Sequence, residues 1–199
     1  LVFTEFKVSR GFRTIKRPGV DFFLDWASKN FAEVVLFSDS ERMDAEMLVT
    51  KLDKNFPNGV FAHLLWKGDM RTVDGELVKD VSRLNRNPSR VIMLDDDPQV
   101  LKGQPENLLQ IAPFEGDASD TVLIDLIPLL NALISSKKDV RENLPRWQGL
   151  QNPGLEFTKI NAIKWEQRNE RRNDVTTLPP PPVPSTGETA MSQQNTSAN

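Results

Sequence analysis

The chain predicts an α/β protein with a parallel sheet covered by helices on both faces, and three observations carry that prediction. Short apolar runs of the buried-strand kind, at residues 32–37 and 91–94, alternate with longer segments of helical apolar spacing. Turn-forming residues, Pro57-Asn58-Gly59 and Asp74-Gly75 among them, separate these segments. The strand-like run at 91–94 ends in three successive carboxylates, Asp95, Asp96 and Asp97. Charge is thereby placed at the carboxyl edge of a strand, where open α/β folds bind their ligands.

In chain order, Pro18-Gly19 introduces a helix over 20–29 with Phe22, Phe23 and Trp26 at core-facing spacing. Residues 32–37 (AEVVLF) follow as a buried strand, and Ser38-Asp39-Ser40 end it and offer caps for a helix from 41 to about 54. Met43, Met47, Leu48 and Leu52 form the apolar face expected of that helix. A strand over 60–65 leads through Trp66-Lys67-Gly68-Asp69 to short extended segments on either side of Asp74-Gly75. Two glycine turns around such segments predict a protruding β-hairpin over 64–78, inserted ahead of Lys79. The chain rejoins the sheet at Val91, adds a strand over 107–112, and continues in helices over 120–135, 140–148 and 155–172. From residue 173 the composition turns to Pro, Ser, Thr, Gln and Asn, including the run LPPPPVP. Residues 1–172 are therefore expected to form one domain and 173–199 a disordered tail, with polyproline II character across 179–184.

Composition removes several chemistries. The absence of cysteine excludes disulfides, thiolate metal sites and cysteine nucleophiles. The single histidine, His63, lies in a strand-like run and is read as structural, which excludes histidine-rich metal sites. No window approaches the roughly 18 consecutive apolar residues of a membrane span. The formal charge of -3 is small, but its distribution is uneven. Five basic residues against Glu5 alone fill the first twenty positions, whereas residues 91–130 carry eight acids against Lys102 alone. Such a segment suits a basic partner and not nucleic acid.

Four residues point to a phosphate-handling pattern. Ser38 ends a buried strand, Lys79 precedes a short helical turn, and Asp95 and Asp96 end another strand sixteen residues after the lysine. In a doubly wound sheet these places can converge on one crevice. A hydroxyl and an ammonium there would hold phosphate oxygens, and aspartates would hold Mg²⁺ while another carboxylate attacked phosphorus. Taken singly, Ser38 is a cap, Lys79 a solvated lysine and the aspartates a turn. No D-x-D-x-T run, the nucleophile such chemistry needs, occurs in the chain.

The segments LFS (36–38), KDVSRLNR (79–86) and RVIMLDDDP (90–98) resemble the C-terminal-domain phosphatases of RNA polymerase II, a branch of the haloacid dehalogenase superfamily. GFRTIKRPGVDFFL (11–24), LKGQPENLLQIAPFEGDASD (101–120) and DVRENL (139–144) are more similar to the Tim-fifty family, presequence receptors of the mitochondrial inner-membrane import translocase. The resemblance spans about residues 1–172. It implies a haloacid-dehalogenase-like three-layer fold with a truncated first strand and an inserted hairpin. It also implies a non-catalytic receptor facing the intermembrane space, held in the membrane by a segment upstream of Leu1, with no cofactor and no bound metal. Ser38, Lys79, Asp95 and Asp96 become vestigial phosphatase positions. Implied partners are presequence-bearing precursors and the channel-forming and other translocase subunits. Channel docking falls to the hairpin through Leu65, Trp66, Lys67, Met70 and Val73.

Basic amphipathic presequences would meet Asp95, Asp96, Asp97, Glu106, Glu115, Asp117 and Asp120. The acidic stretch supports that expectation, because it interleaves Leu101, Leu108, Leu109, Ile111 and Phe114 with its carboxylates, although Leu108 and Ile111 are read as core. The alternatives are an Mg²⁺-dependent protein serine/threonine phosphatase and a structural subunit of a membrane complex.

Overall fold

Two short segments near the start of the chain, VFTEFK and GFRTIK, form a hairpin that local charge alone does not predict. In the computed structural model, which describes residues 1–9 and 11–176, β1 (Val2–Lys7) pairs antiparallel with β2 (Gly11–Lys16), and Phe3 lies opposite Ile15. Aromatic and β-branched residues favour this pleated arrangement. Gly19, at φ 75°, then opens α1 (Val20–Asn30), which buries Val20, Phe23, Leu24 and Ala27. That stripe is complete without Phe22, which is 61% exposed and does not face the core as expected.

Two parallel strand pairs follow the predicted βαβ order. β3 (Val35–Phe37) pairs with β4 (His63–Leu65) across α2 (Arg42–Leu52), with Leu36 opposite Leu64. Further along, β7 (Met93–Asp95) pairs with β8 (Leu108–Gln110), with Leu94 opposite Leu109. Among the described residues these remain separate pairs and not one continuous sheet. α2 buries Ala45, Val49 and Leu52, while Met43 and Met47, expected at its core face, are exposed. The helix is turned so that the small Ala45 is fully buried and its outer face carries the methionines.

The hairpin ahead of Lys79 is narrower than 64–78. β5 (Arg71–Val73) and β6 (Glu76–Val78) are joined by Asp74 and Gly75 at φ 52° and 83°, the left-handed pair that a two-residue turn requires. Residues 64–65 belong to β4.

α3 (Val122–Ser136) is the axis of the core: Leu123, Leu126, Leu129 and Leu130 are at most 1% exposed and pack with Phe23, Leu24, Val49 and Leu109. The helix expected over 140–148 is instead two 3-10 turns, Val140–Glu142 and Leu144–Trp147, because Pro145 brings no N–H to a continuous ladder. α4 runs from Pro153 to Thr176. Leu1–Ala162 form one compact unit, and the described part of the second unit is α4 from Ile163 onward. The proline-rich tail lies outside the described residues.

Candidate functional site

The residues singled out for phosphate chemistry meet at one cavity of about 670 Å³, lined by the carboxyl ends of β3 and β7. β3 delivers Ser38, whose N–H donates to the Leu65 carbonyl at 2.9 Å and whose hydroxyl oxygen accepts from the Ser40 N–H at 3.2 Å. β6 delivers Lys79, fixed through its backbone N–H to the Val100 carbonyl at 2.6 Å. β7 delivers Asp95, which accepts from Lys79 Nζ at 2.6 Å, with both side chains about nine-tenths buried. Lys79 Nζ also lies 5.8 Å from the Phe37 ring centroid. A desolvated lysine–aspartate pair at a cavity mouth can exchange either partner for a charged ligand group: an anion at Lys79 or a cation at Asp95.

Each acid expected to meet a basic ligand has its own surroundings. Asp95 is held by Lys79 and by the Asp97 N–H at 3.2 Å. Asp96 is exposed, and Asp97 accepts the Gln99 N–H at 2.9 Å and caps the following 3-10 turn. Glu115 is exposed and Glu106 half-buried. The exposed Asp117 accepts the Ser119 N–H and hydroxyl, both at 2.8 Å, and these bonds hold its carboxyl below the usual aspartate range. Asp120 is committed elsewhere. Its two oxygens take Arg17 Nε at 2.9 Å and Nη2 at 2.7 Å, and Oδ1 also accepts the Val122 N–H at 3.1 Å. Arg17 is only 2% exposed, donates to the Ala112 carbonyl at 2.8 Å, and lies 5.6 Å from the Phe114 ring centroid. Its importance was hidden because its partners are about a hundred residues away and locally it reads as one of a basic cluster. Leu101, Leu108, Leu109, Ile111 and Phe114 are all buried, so the acidic stretch presents none of these apolar side chains to a ligand.

The family model of the NLI interacting factor-like phosphatases matches residues 2–141. The chain belongs to that family. Among its curated relatives is the mitochondrial import inner membrane translocase subunit tim50 of Neurospora crassa, 37% identical over 85% of this chain and 31% of the relative. The TIM50 subunit of Yarrowia lipolytica is 39% identical over 84% of this chain and 35% of the relative. That of Phytophthora infestans is 42% identical over 69% and 32%. The chain thus spans about a third of the length of the curated relatives it matches. A solved structure of the RNA polymerase II CTD phosphatase Fcp1 aligns with a TM-score of 0.46 at 19% identity, covering 85% of this chain and 54% of that one.

Of the two aspartates that would hold a divalent metal, Asp95 is bonded to the Lys79 ammonium and Asp96 is exposed.

The β5–β6 hairpin forms an arm beside this site. Trp66, expected to be exposed, is half-buried with the Arg42 guanidinium 4.9 Å from its ring centroid. Lys67 pairs with Glu41 at 2.8 Å, which raises its pKa chiefly through that hydrogen bond. Leu65, Met70 and Val73 are half-buried, and the β5–β6 hairpin exposes Arg71, Thr72, Asp74, Gly75, Glu76 and Leu77. At its base Asp80 accepts from the Ser82 hydroxyl and N–H at 2.6 and 3.0 Å and pairs with Arg71 at 3.4 Å.

Proposed function

We propose that the chain forms the receptor domain of a mitochondrial inner-membrane import translocase subunit. It faces the intermembrane space, captures basic amphipathic presequences on its acidic side, and docks on the channel-forming subunit through the β5–β6 arm. The observation that carries this reading is the similarity, over most of the chain, to proteins named as subunits of that translocase. The site geometry supports it, since the cavity carboxylate of Asp95 is neutralised by Lys79.

Capture is weak on this reading. Exposed ion pairs contribute about 0.2–1 kcal/mol each and are screened over roughly 8–10 Å at physiological salt. Apolar contact must supply much of the rest, at about 25 cal/mol per Å² before association costs. Titrating a labelled basic amphipathic peptide should give micromolar or weaker affinity that falls with salt, and scrambling its apolar face should weaken binding markedly. Equal affinity for the scrambled peptide would overturn receptor function.

A second reading, an Mg²⁺-dependent protein phosphatase, is favoured by the meeting of Ser38, Lys79 and Asp95 at one cavity. Residues 1–199 contain no D-x-D-x-T run, and removing such a nucleophile costs roughly 10⁴–10⁶ in rate, so these residues by themselves should release no phosphate from an aryl phosphate with Mg²⁺. Steady turnover abolished by Lys79→Ala would establish the enzyme instead.

A further inference from the structure

A basic amphipathic helix needs an apolar seat beside its counter-charges, and the acidic stretch has buried the apolar side chains that could have formed one. Large apolar side chains are exposed nearby, where three helices begin. Phe22 in the first turn of α1 is 61% exposed, Ile124 in the first turn of α3 39%, and Leu155 in the first turn of α4 42%. Close backbone packing brings these turns together. A Cβ at Gly19 would lie 2.7 Å from Ile124 Cδ1, so the Ile124 side chain rests on the residue that opens α1. A Cβ at Gly154 would lie 2.1 Å from the Asp125 carbonyl oxygen, so only glycine lets α4 begin directly on α3. Asn152 Nδ2 donates to Asp125 Oδ2 at 2.7 Å and secures the same junction.

Each of these turns also carries a carboxylate beside its apolar residue: Asp21, Asp125 and Glu156. Asp21 and Glu156 form surface pairs with Lys16 and Lys159, which a ligand cation can displace at small cost. Asp125 and the neighbouring Asp117 form no salt bridge among the described residues.

We infer that this surface, centred on Phe22, Ile124 and Leu155 and rimmed by Asp117 and Asp125, takes the apolar face of a basic amphipathic helix. The inference rests on the receptor reading above and deepens it. The ligand lies across the starts of the three helices with its cations toward the carboxylates, and the cavity between β3 and β7 stays outside the contact. Apolar residues ringed by acids are the complement of a helix with one apolar and one basic face.

The test is an anisotropy titration of a labelled basic amphipathic peptide against wild type and a Phe22→Ser, Ile124→Ser, Leu155→Ser variant. Thermal melts confirm that the variant folds. The expected result is affinity reduced by about tenfold or more, with a conservative Ile124→Val single variant close to wild type. Photo-crosslinking from a benzoylphenylalanine placed at position 22 should capture the peptide, whereas one at position 72 on the β5–β6 arm should not. If wild type binds and the triple variant binds equally well, this surface is wrong and receptor function stands. If wild type does not bind the peptide at all, both fail. Should the triple variant not fold, the crosslink decides, and capture from position 72 alone overturns the inference.

Discussion

Two buried ion pairs, Arg17–Asp120 and Lys79–Asp95, have similar chemistry but differ in how firmly the cation is held, although both cations line the same cavity. Arg17 spends its guanidinium on both oxygens of Asp120 and on the Ala112 carbonyl, with Phe114 against it, so each nitrogen of its fixed fork is bonded. Lys79 makes one hydrogen bond to Asp95 at the edge of a cavity. All three nitrogens of Arg17 are thus engaged, which makes this the saturated pair, while Lys79 uses one of its three donors and forms the unsaturated one. Burial alone does not mark a functional charge: the saturated pair fixes the fold and the unsaturated one is free to exchange.

The largest effect should come from breaking the saturated pair. Arg17→Met leaves Asp120 partly buried with only the Val122 N–H, and removal of one partner of such a pair costs about 3–5 kcal/mol. In a domain of this size that lowers Tm by on the order of 10 °C. The double variant Arg17→Met, Asp120→Leu should recover much of the loss, because no charge is then stranded. A double variant no more stable than the single one would mean that the pair is more than a lock.

Lys79→Met should cost less, about 1–3 kcal/mol, since Asp95 retains the Asp97 N–H and water in the cavity can reach it. Chemical denaturation of the two single variants side by side measures the difference. Equal losses would erase the contrast between the pairs.

Much of this contrast was legible in the sequence, and the missing part has a physical reason. The strand ending at Asp95 and the lysine sixteen residues before it are local features, and the fold joins them as their order suggests. The partnership of Arg17 with Asp120 spans 103 residues and leaves no periodic trace, so a fully buried arginine reads as part of a basic patch. Helix faces fail in a similar way. In α2 Met43 and Met47 form one apolar stripe and Ala45, Val49 and Leu52 another on the opposite side, and only packing chooses between them. Phe22 and Phe23 are likewise adjacent aromatics, of which packing selects one.

Asp80 offers a pH-dependent check on the arm beside the unsaturated pair. The Ser82 hydroxyl, first, then its N–H and Arg71, hold its carboxyl below the ordinary range against the opposing effect of burial. A folded-state value below the unfolded one, about 3.9, contributes stability that is fully present above roughly pH 4 and is lost as pH falls through the folded value. Asp80→Asn should therefore cost on the order of 1 kcal/mol at neutral pH, and the gap in Tm from wild type should shrink in acid. A gap unchanged between neutral pH and pH 3 would mean that the charge of Asp80 contributes nothing to the arm.

The smallest effect on stability should come from Asp96 and Asp97, the exposed acids beside the unsaturated pair. Neither is in a salt bridge among the described residues, and asparagine can keep the Asp97 cap on the Gln99 N–H. Asp96→Asn, Asp97→Asn should leave stability within about 0.5 kcal/mol of wild type. Binding should be unchanged too, because the inferred helix lies across the starts of α1, α3 and α4 and leaves the cavity outside the contact. If a basic ligand instead approaches the cavity mouth, each lost carboxylate removes about 0.2–1 kcal/mol at low ionic strength, a factor of roughly 1.4 to 5 in affinity. At about 0.5 M salt, where screening is nearly complete over a few ångström, the same variant should bind almost as wild type does. The measurement is the slope of affinity against salt for a labelled basic amphipathic peptide, taken on both proteins. A flatter slope in the variant with an unchanged melt would place the encounter at these acids, beside a pair built to exchange. Identical slopes would leave the whole electrostatic contribution to Asp117 and Asp125 at the helix starts.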